Sequence, residues 1–224
     1  MKLLKYQHWH FLILLVLLTG IYFCVHNDAS LLKGEFLGVQ TSKFFLFAIL
    51  SPIIHQVYVL VCWRLELFYN SISKIFGSNG FKFYKIGFAI LIFSRLLTII
   101  ILAISNSNTL NVNAIFTYTL ASILLIPSVY LIYSVKKYFG IDRAFGIDHF
   151  QPKRFQNMVF VKKGIFKYTS NGMYMYGFFI LWIPGLLLLS KTALLVAFFN
   201  HIYIWVHYYF TELPDIKVIY KDQL

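Results

Sequence analysis

Between Met173 and Phe210 the chain runs 38 residues as one apolar stretch. As a single α-helix it would reach about 57 Å, nearly twice the ~30 Å hydrocarbon core of a bilayer. The sequence therefore predicts two antiparallel helices in a tight hairpin, with the break near Ser190-Lys191. Four further runs, Trp9–Val25, Phe44–Trp63, Ile86–Ile104 and Ala114–Val135, each match the roughly 20 residues that one crossing needs. The expected architecture is an all-α, polytopic transmembrane helical bundle of about six spans, closed by a C-terminal helical hairpin.

Composition agrees. Only 12% of the 224 residues are charged, against about a quarter in soluble domains, so the chain lacks the polar groups to cover a water-facing surface. The first run follows Lys2 and Lys5 as a signal peptide would, but no small-residue cleavage site follows, and it is read as a retained first span. Cys24 and Cys62 lie inside apolar runs and are read as buried thiols; no metal site is expected.

A net charge of +12 suggests nucleic acid only until its distribution is read. Lys2, Lys5, Arg64, Lys74, Lys82, Lys85, Lys136, Lys137, Arg143, Lys153, Arg154, Lys162, Lys163, Lys167, Lys217 and Lys221 fall on one side of the six spans. Lys33, Lys43 and Lys191 fall on the other. That asymmetry assigns the basic side, with both termini, to the cytoplasm of a bacterial inner membrane or the endoplasmic reticulum. The partners expected are the lipid bilayer and a membrane lipid, not nucleic acid; nothing in the pattern bears on oligomeric state. Residues 1–224 read as one membrane domain, in which 136–172 form a basic cytoplasmic loop of turns and short amphipathic pieces. The last four residues, Lys-Asp-Gln-Leu, are similar to a luminal retention signal, but this topology puts them on the wrong side to be read.

Polar groups inside spans are costly and each needs a reason. His55, Gln56, Arg95, Asn200, His201 and His207 are the candidates. Singly, each is more simply a helix–helix hydrogen-bonding group, although Arg95 also suits a phosphate. Asn200, Tyr203 and His207 share one helical face that Thr211 extends toward Glu212. His8 and His10 flank Trp9 and are read as interfacial anchors. Soluble-site motifs such as G-x-x-x-x-G-K-[ST], G-x-S-x-G and H-E-x-x-H are absent.

The stretch Lys163-Gly-Ile-Phe-Lys-Tyr-Thr-Ser-Asn-Gly-Met-Tyr-Met-Tyr-Gly177 resembles the signature of integral-membrane methyltransferases, the phosphatidylethanolamine N-methyltransferase and isoprenylcysteine carboxyl methyltransferase superfamily. Phe210-Thr-Glu-Leu-Pro-Asp-Ile-Lys-Val-Ile-Tyr220 is similar to the family's closing element, and Tyr138-Phe-Gly-Ile141 to the phosphatidylethanolamine enzymes. The family's arginine and proline are Ser170 and Gly172 here, and its last glycine falls one place later, at Gly177.

The resemblance implies S-adenosylmethionine as cofactor, held by 173–220. Tyr168, Asn171, Met173, Tyr174, Gly177, Asn200, Tyr203 and Glu212 are the expected cofactor-binding residues. Glu212 and His207 are the candidate catalytic groups, for proton transfer. Arg95, Arg143, Arg154 and Lys167 are candidates for the substrate's phosphate. The expected reaction is N-methylation of phosphatidylethanolamine or its partly methylated forms. The alternatives are O-methylation of an isoprenylated cysteine or another lipophilic acid, a nicotinamide-dependent sterol or enone reductase, and a small transporter or channel; the last expects repeats, which are not visible.

Overall fold

In the computed structural model residues 2–220 are described, and they are helical almost throughout. Lys221 and the rest of the Lys-Asp-Gln-Leu tail lie outside the described residues. Helix α1 (Gln7–Asn27) leads through a 3-10 turn, capped by the Asp28 carboxylate accepting from Ser30 N. A small antiparallel hairpin follows, β1 (Glu35–Phe36) and β2 (Val39–Gln40). Its two-residue loop, Leu37-Gly38, has positive φ at both positions, which matches the twist of the flanking strands. Then come α2 (Thr41–Tyr69), the short α3 (Ser71–Phe76), α4 (Gly80–Ser105) and α5 (Ala114–Ser134), which continues as a π-helical turn to Phe139.

These helices contain the four expected spans but run past the apolar residues that announce them. The extension of α2 is the most consequential, because it carries Arg64 and Glu66 into the interior, each 1% exposed. The Glu66 carboxylate accepts the backbone N–H groups of Ile72 and Ser73 and the Ser73 hydroxyl, tying down α3. Arg64, counted above as a loop charge, is instead a buried clasp on the same side. Its Nε donates to both Asp215 oxygens, at 3.2 and 3.3 Å. Its remaining nitrogens donate to the carbonyls of Leu3, Lys5 and Phe210.

The long apolar stretch does fold back on itself. Leu189 takes a positive φ of 51° and the Ser190 hydroxyl caps the next helix by accepting from Ala193 N, so the turn falls where the length argument puts it. The first arm is not the continuous helix expected over 173–190. It is α9 (Gly172–Tyr176), a 3-10 segment (Gly177–Leu181) and α10 (Ile183–Leu187). The second arm is α11 (Lys191–His207), a π-helical turn (Tyr208–Glu212) and α12 (Leu213–Ile219). Five helices are long and apolar enough to cross a bilayer, and Gly172–Leu187 is a shorter sixth. That short arm still runs from side to side. At one end the Tyr174 hydroxyl meets Glu212, and at the other the carbonyls of Leu188 and Leu189 accept from Asn108 and Leu110. The steeper rise of its 3-10 segment, ~2 Å per residue, helps it reach.

The two ends of the bundle are sealed differently. On the lysine-poor side Asn106 donates to the carbonyls of Ser30 and Lys33 and accepts from Thr192, while Lys191 pairs with Asp28 at 3.1 Å. On the basic side residues 136–172 fold into α6 (Ile141–Ala144), α7 (Ile147–Phe150) and α8 (Pro152–Phe155), joined to α12 by a core of Ile147, Phe155, Ile219 and Tyr220. Two minor readings are corrected. His10 is not an interfacial anchor but is buried, with Nε2 3.0 Å from Tyr203 OH. Cys24 is exposed on α1.

Candidate active site: two chambers meeting at Glu212

Pro214 leaves one carbonyl of the preceding turn unclaimed. It has no N–H to offer the carbonyl of Phe210 one turn earlier. That carbonyl is taken instead by Gln7 Nε2, at 2.8 Å, and by Arg64. The preceding turn is π-helical, with one extra residue in the turn, a device common at functional sites. It carries Glu212 to the wall between two cavities, one of about 390 Å³ and one of about 330 Å³.

The outer chamber, on the basic side, is the smaller. Phe139, Phe160, Tyr208 and Tyr220 supply aromatic walls, and Arg143, Asp148, His149 and Asn171 supply polar groups. Asp148 accepts from His149 N and Nδ1 at 3.0 Å through one oxygen, and from Tyr220 OH at 3.0 Å through the other. Burial alone would raise the Asp148 carboxyl, but His149, Tyr220 and Arg143 together hold it below the usual carboxylate range. Burial pushes the Tyr220 phenol upward, so it stays a neutral donor. The His149 Nε2 atom has no hydrogen-bond partner among the described residues and lies 3.8 Å from Asp215 Oδ2.

The inner chamber lies among α2, α4, the broken arm and α11. Most of its wall is apolar, from Val59, Phe88, Ile92, Phe93, Leu96, Phe178, Leu181 and Ile204. His55, Gln56, Trp63, Arg95 and His207 interrupt it. Arg95 is 1% exposed; its Nε donates to Asn200 Oδ1 at 2.9 Å, NH1 lies 3.3 Å from His55 Nδ1, and the guanidinium sits 4.7 Å from the Phe178 ring centre.

Trp63, Ala144, Met173, Tyr174 and Glu212 line both chambers. Tyr174 OH donates to Glu212 Oε2, and Trp63 stacks on His149 with ring centres 4.0 Å apart. Gly146 is required here: its φ is +82°, and a Cβ would run into the Trp63 indole. The junction thus joins α2, the 136–172 segment and both hairpin arms.

The expected site residues divide by placement. Asn171 lines the outer chamber, Gly177 and His207 the inner, and Met173, Tyr174 and Glu212 both. Arg95 lines the inner chamber and Arg143 the outer. Tyr168 is 74% exposed and lines neither chamber. Lys167 and Arg154 are also exposed, and Arg154 is occupied by Gln151 Oε1 at 3.0 Å. Asn200 and Tyr203 do share a face with His207, but they are fully buried and engaged by Arg95 and His10. Helical phase was readable; depth is what differs, since twelve residues of helix set Asn200 roughly 18 Å from Glu212 along the axis. Trp63, Asp148, His149 and Tyr220 were not foreseen as site residues. The one available signal for them was the glycine pair Gly140 and Gly146, bracketing a short polar segment next to the family-like motif.

Residues 116–223, just under half of the chain, match the model of the PEMT family, described as phospholipid methyltransferase. The match takes in α5, the basic segment and both arms of the hairpin, and it bears out the resemblance carried by the two C-terminal segments. No curated protein and no solved structure matches the chain.

Proposed function

We propose that this membrane protein is an S-adenosylmethionine-dependent methyltransferase acting on phosphatidylethanolamine or its partly methylated forms. The outer chamber is the cofactor site and the inner chamber the acceptor site. The observation that carries this reading is the shared wall: one chamber set with charged and aromatic groups and one largely apolar chamber abut at Glu212, Tyr174, Met173 and Trp63, beneath a segment matching phospholipid methyltransferases. A reaction between a soluble cofactor and a lipid needs that juxtaposition.

The residues suit the cofactor. Its zwitterionic amino-acid portion calls for both charge signs, offered by Asp148, Glu212 and Arg143, and its adenosine for the aromatic faces of Phe139, Phe160, Tyr208 and Tyr220. When bound, it supplies an electrophilic methyl on sulfur. The chain's own work is then positioning and proton handling. An acceptor ammonium must lose a proton before its nitrogen is nucleophilic. Glu212 can take that proton on Oε1 while Oε2 accepts from Tyr174. His207, lining the inner chamber, is a second acceptor. The apolar wall of Val59, Phe88, Leu96 and Ile204 keeps bulk water away. Because the basic side faces the cytoplasm in this reading, with both termini, the outer chamber opens to the compartment where the cofactor is made.

Purified protein incubated with cofactor labelled in its methyl group and a panel of lipids tests the proposal. Label is expected in ethanolamine phospholipids. Label in another lipid class alone, or none in any, would sink the assignment.

A further inference from the structure

Five side chains lining the inner chamber each leave a buried polar atom without a hydrogen-bond partner among the described residues: His55 Nε2, both amide atoms of Gln56, Trp63 Nε1, Arg95 NH2 and His207 Nδ1. All five residues are more than nine-tenths buried. Unpaired polar groups in low dielectric cost free energy, and an unpaired cation costs most. Among the described residues no carboxylate forms a salt bridge with Arg95; its partners are a neutral amide, an imidazole and an aromatic face. An anionic ligand would complete this group.

The depth of Arg95 sets what that anion can be. Ten residues of α4 separate it from Ser105, and nine of α11 separate its partner Asn200 from Lys191. At 1.5 Å per residue these place the pair about 15 Å from the lysine-poor end, near the middle of the bilayer. Helical side chains lean toward their helix's N-terminus, so Arg95 leans toward the basic side and Glu212 leans inward. On the first arm, Phe178 beneath the guanidinium is four residues, about 6–8 Å of helical rise, from Tyr174, which meets Glu212. An ethanolamine headgroup fits such a gap, with its ammonium at Glu212 and its phosphodiester, two carbons away, on the inner side. Phe93 lines this chamber and is also 71% exposed on the outer surface of α4, which gives acyl chains a lateral way out.

We propose that Arg95, His55 and Gln56 form an anion subsite that seats the acceptor's phosphodiester in the bilayer interior, on the inner side of the reacting amine. This rests on the acceptor reading above and deepens it. Arg95 makes the enzyme select phosphate-bearing lipids over neutral ones, and the phospholipid is drawn inward from its leaflet to react. Arginine suits the task because its planar fork can hold two phosphate oxygens while Asn200 fixes Nε.

The test is a melting-temperature titration of the full chain in neutral detergent, without cofactor, using three single-chain lipids. Lysophosphatidylglycerol carries a phosphodiester, a fatty acid of equal length carries a carboxylate, and a monoacylglycerol is neutral. Lysophosphatidylglycerol is expected to stabilise most, Arg95→Gln to weaken it at least ~10-fold, and Arg95→Lys to fall between. Gln56→Leu is expected to weaken it too. Because the Gln56 amide has no hydrogen-bond partner among the described residues, that variant reports even if Arg95→Gln does not fold. Equal stabilisation by the neutral lipid, or an unaltered preference in both Arg95→Gln and Gln56→Leu, would overturn the subsite. A fatty acid binding as well as the phosphodiester would overturn the phosphate assignment. A phosphodiester preference lost on mutation, with no methyl transfer to ethanolamine lipids, would uphold the subsite and remove only the proposed acceptor.

Discussion

Tyr174 and Glu212 face each other from the two arms of the C-terminal hairpin, the phenol donating to Glu212 Oε2 at the wall between the chambers. Glutamine in place of Glu212 keeps the size and an acceptor oxygen but cannot take a proton or offset a positive charge. Glu212→Gln is therefore expected to lower kcat/KM at least ~10-fold, or about 1.4 kcal/mol of transition-state stabilisation. Tyr174→Phe, which frees one carboxylate oxygen, should cost less. Parallel loss of cofactor affinity in Glu212→Gln would assign a binding role, and loss of turnover alone a proton-transfer role. A fully active Glu212→Gln protein would end the assignment.

Asn171 and Tyr168 make a matched pair of controls, because both occupy motif positions but only Asn171 lines the outer chamber. Calorimetric titration with S-adenosylhomocysteine should show affinity reduced several-fold by Asn171→Ala and unchanged by Tyr168→Ala. The opposite order would place the cofactor elsewhere.

The Asp148 cluster predicts a pH dependence. Its carboxyl is held below the ordinary carboxylate range by His149, Tyr220 and Arg143 despite burial. A carboxylate with a lower pKa folded than unfolded adds stability that is full above the unfolded value of ~4 and is lost as pH falls through the folded one. The melting temperature should therefore drop as pH falls below ~4, and Asp148→Asn should flatten that part of the profile. An unchanged profile in the variant would count against the cluster.

Arg64 and Asp215 form a buried ion pair, 1% and 2% exposed. Removing one partner strands the other, so Arg64→Met or Asp215→Leu alone should destabilise by ~3–5 kcal/mol. The double replacement should recover part of that loss, since neither charge is then left unpaired. Thermal denaturation of the two single variants and the double variant in detergent measures the coupling, and strict additivity would show that the pair is not coupled.

Six crossings place Ser78 and Ser107 on opposite sides, the first in the turn before α4 and the second just after it. With Cys24 replaced by Ala, an impermeant maleimide added outside intact cells should label Ser107→Cys and spare Ser78→Cys. The reverse pattern would invert the orientation drawn from the charge asymmetry.

What the sequence disclosed follows from what is periodic or additive in it. Apolar run length and lysine distribution are sums over many residues, so the spans and their common basic side were legible. Glu212, Met173 and Tyr174, which line both chambers, stand in local motifs that single them out. The broken first arm was not legible, since Gly177–Leu181, which packs against α5 and α11, is as apolar as a regular helix and carries no local mark of its 3-10 form. Nor were Trp63 and His149, whose stacking joins positions far apart in the chain across a glycine that looks like an ordinary turn. Asn200 and Tyr203 show the limit of facial reasoning: a shared helical face fixes direction, not depth.

The Arg64 clasp also has a timetable. Its partner Asp215 is made 151 residues later, and at 5–20 residues per second that is a wait of roughly 8–30 s. Throughout it, α2 is already synthesised, and its guanidinium must stay hydrated at the headgroup level. Only when the last helix emerges can the arginine swing in, gather the N-terminal segment and close the basic end. The two chambers are thus completed late, when α12 locks onto α2 and the segment ahead of α1.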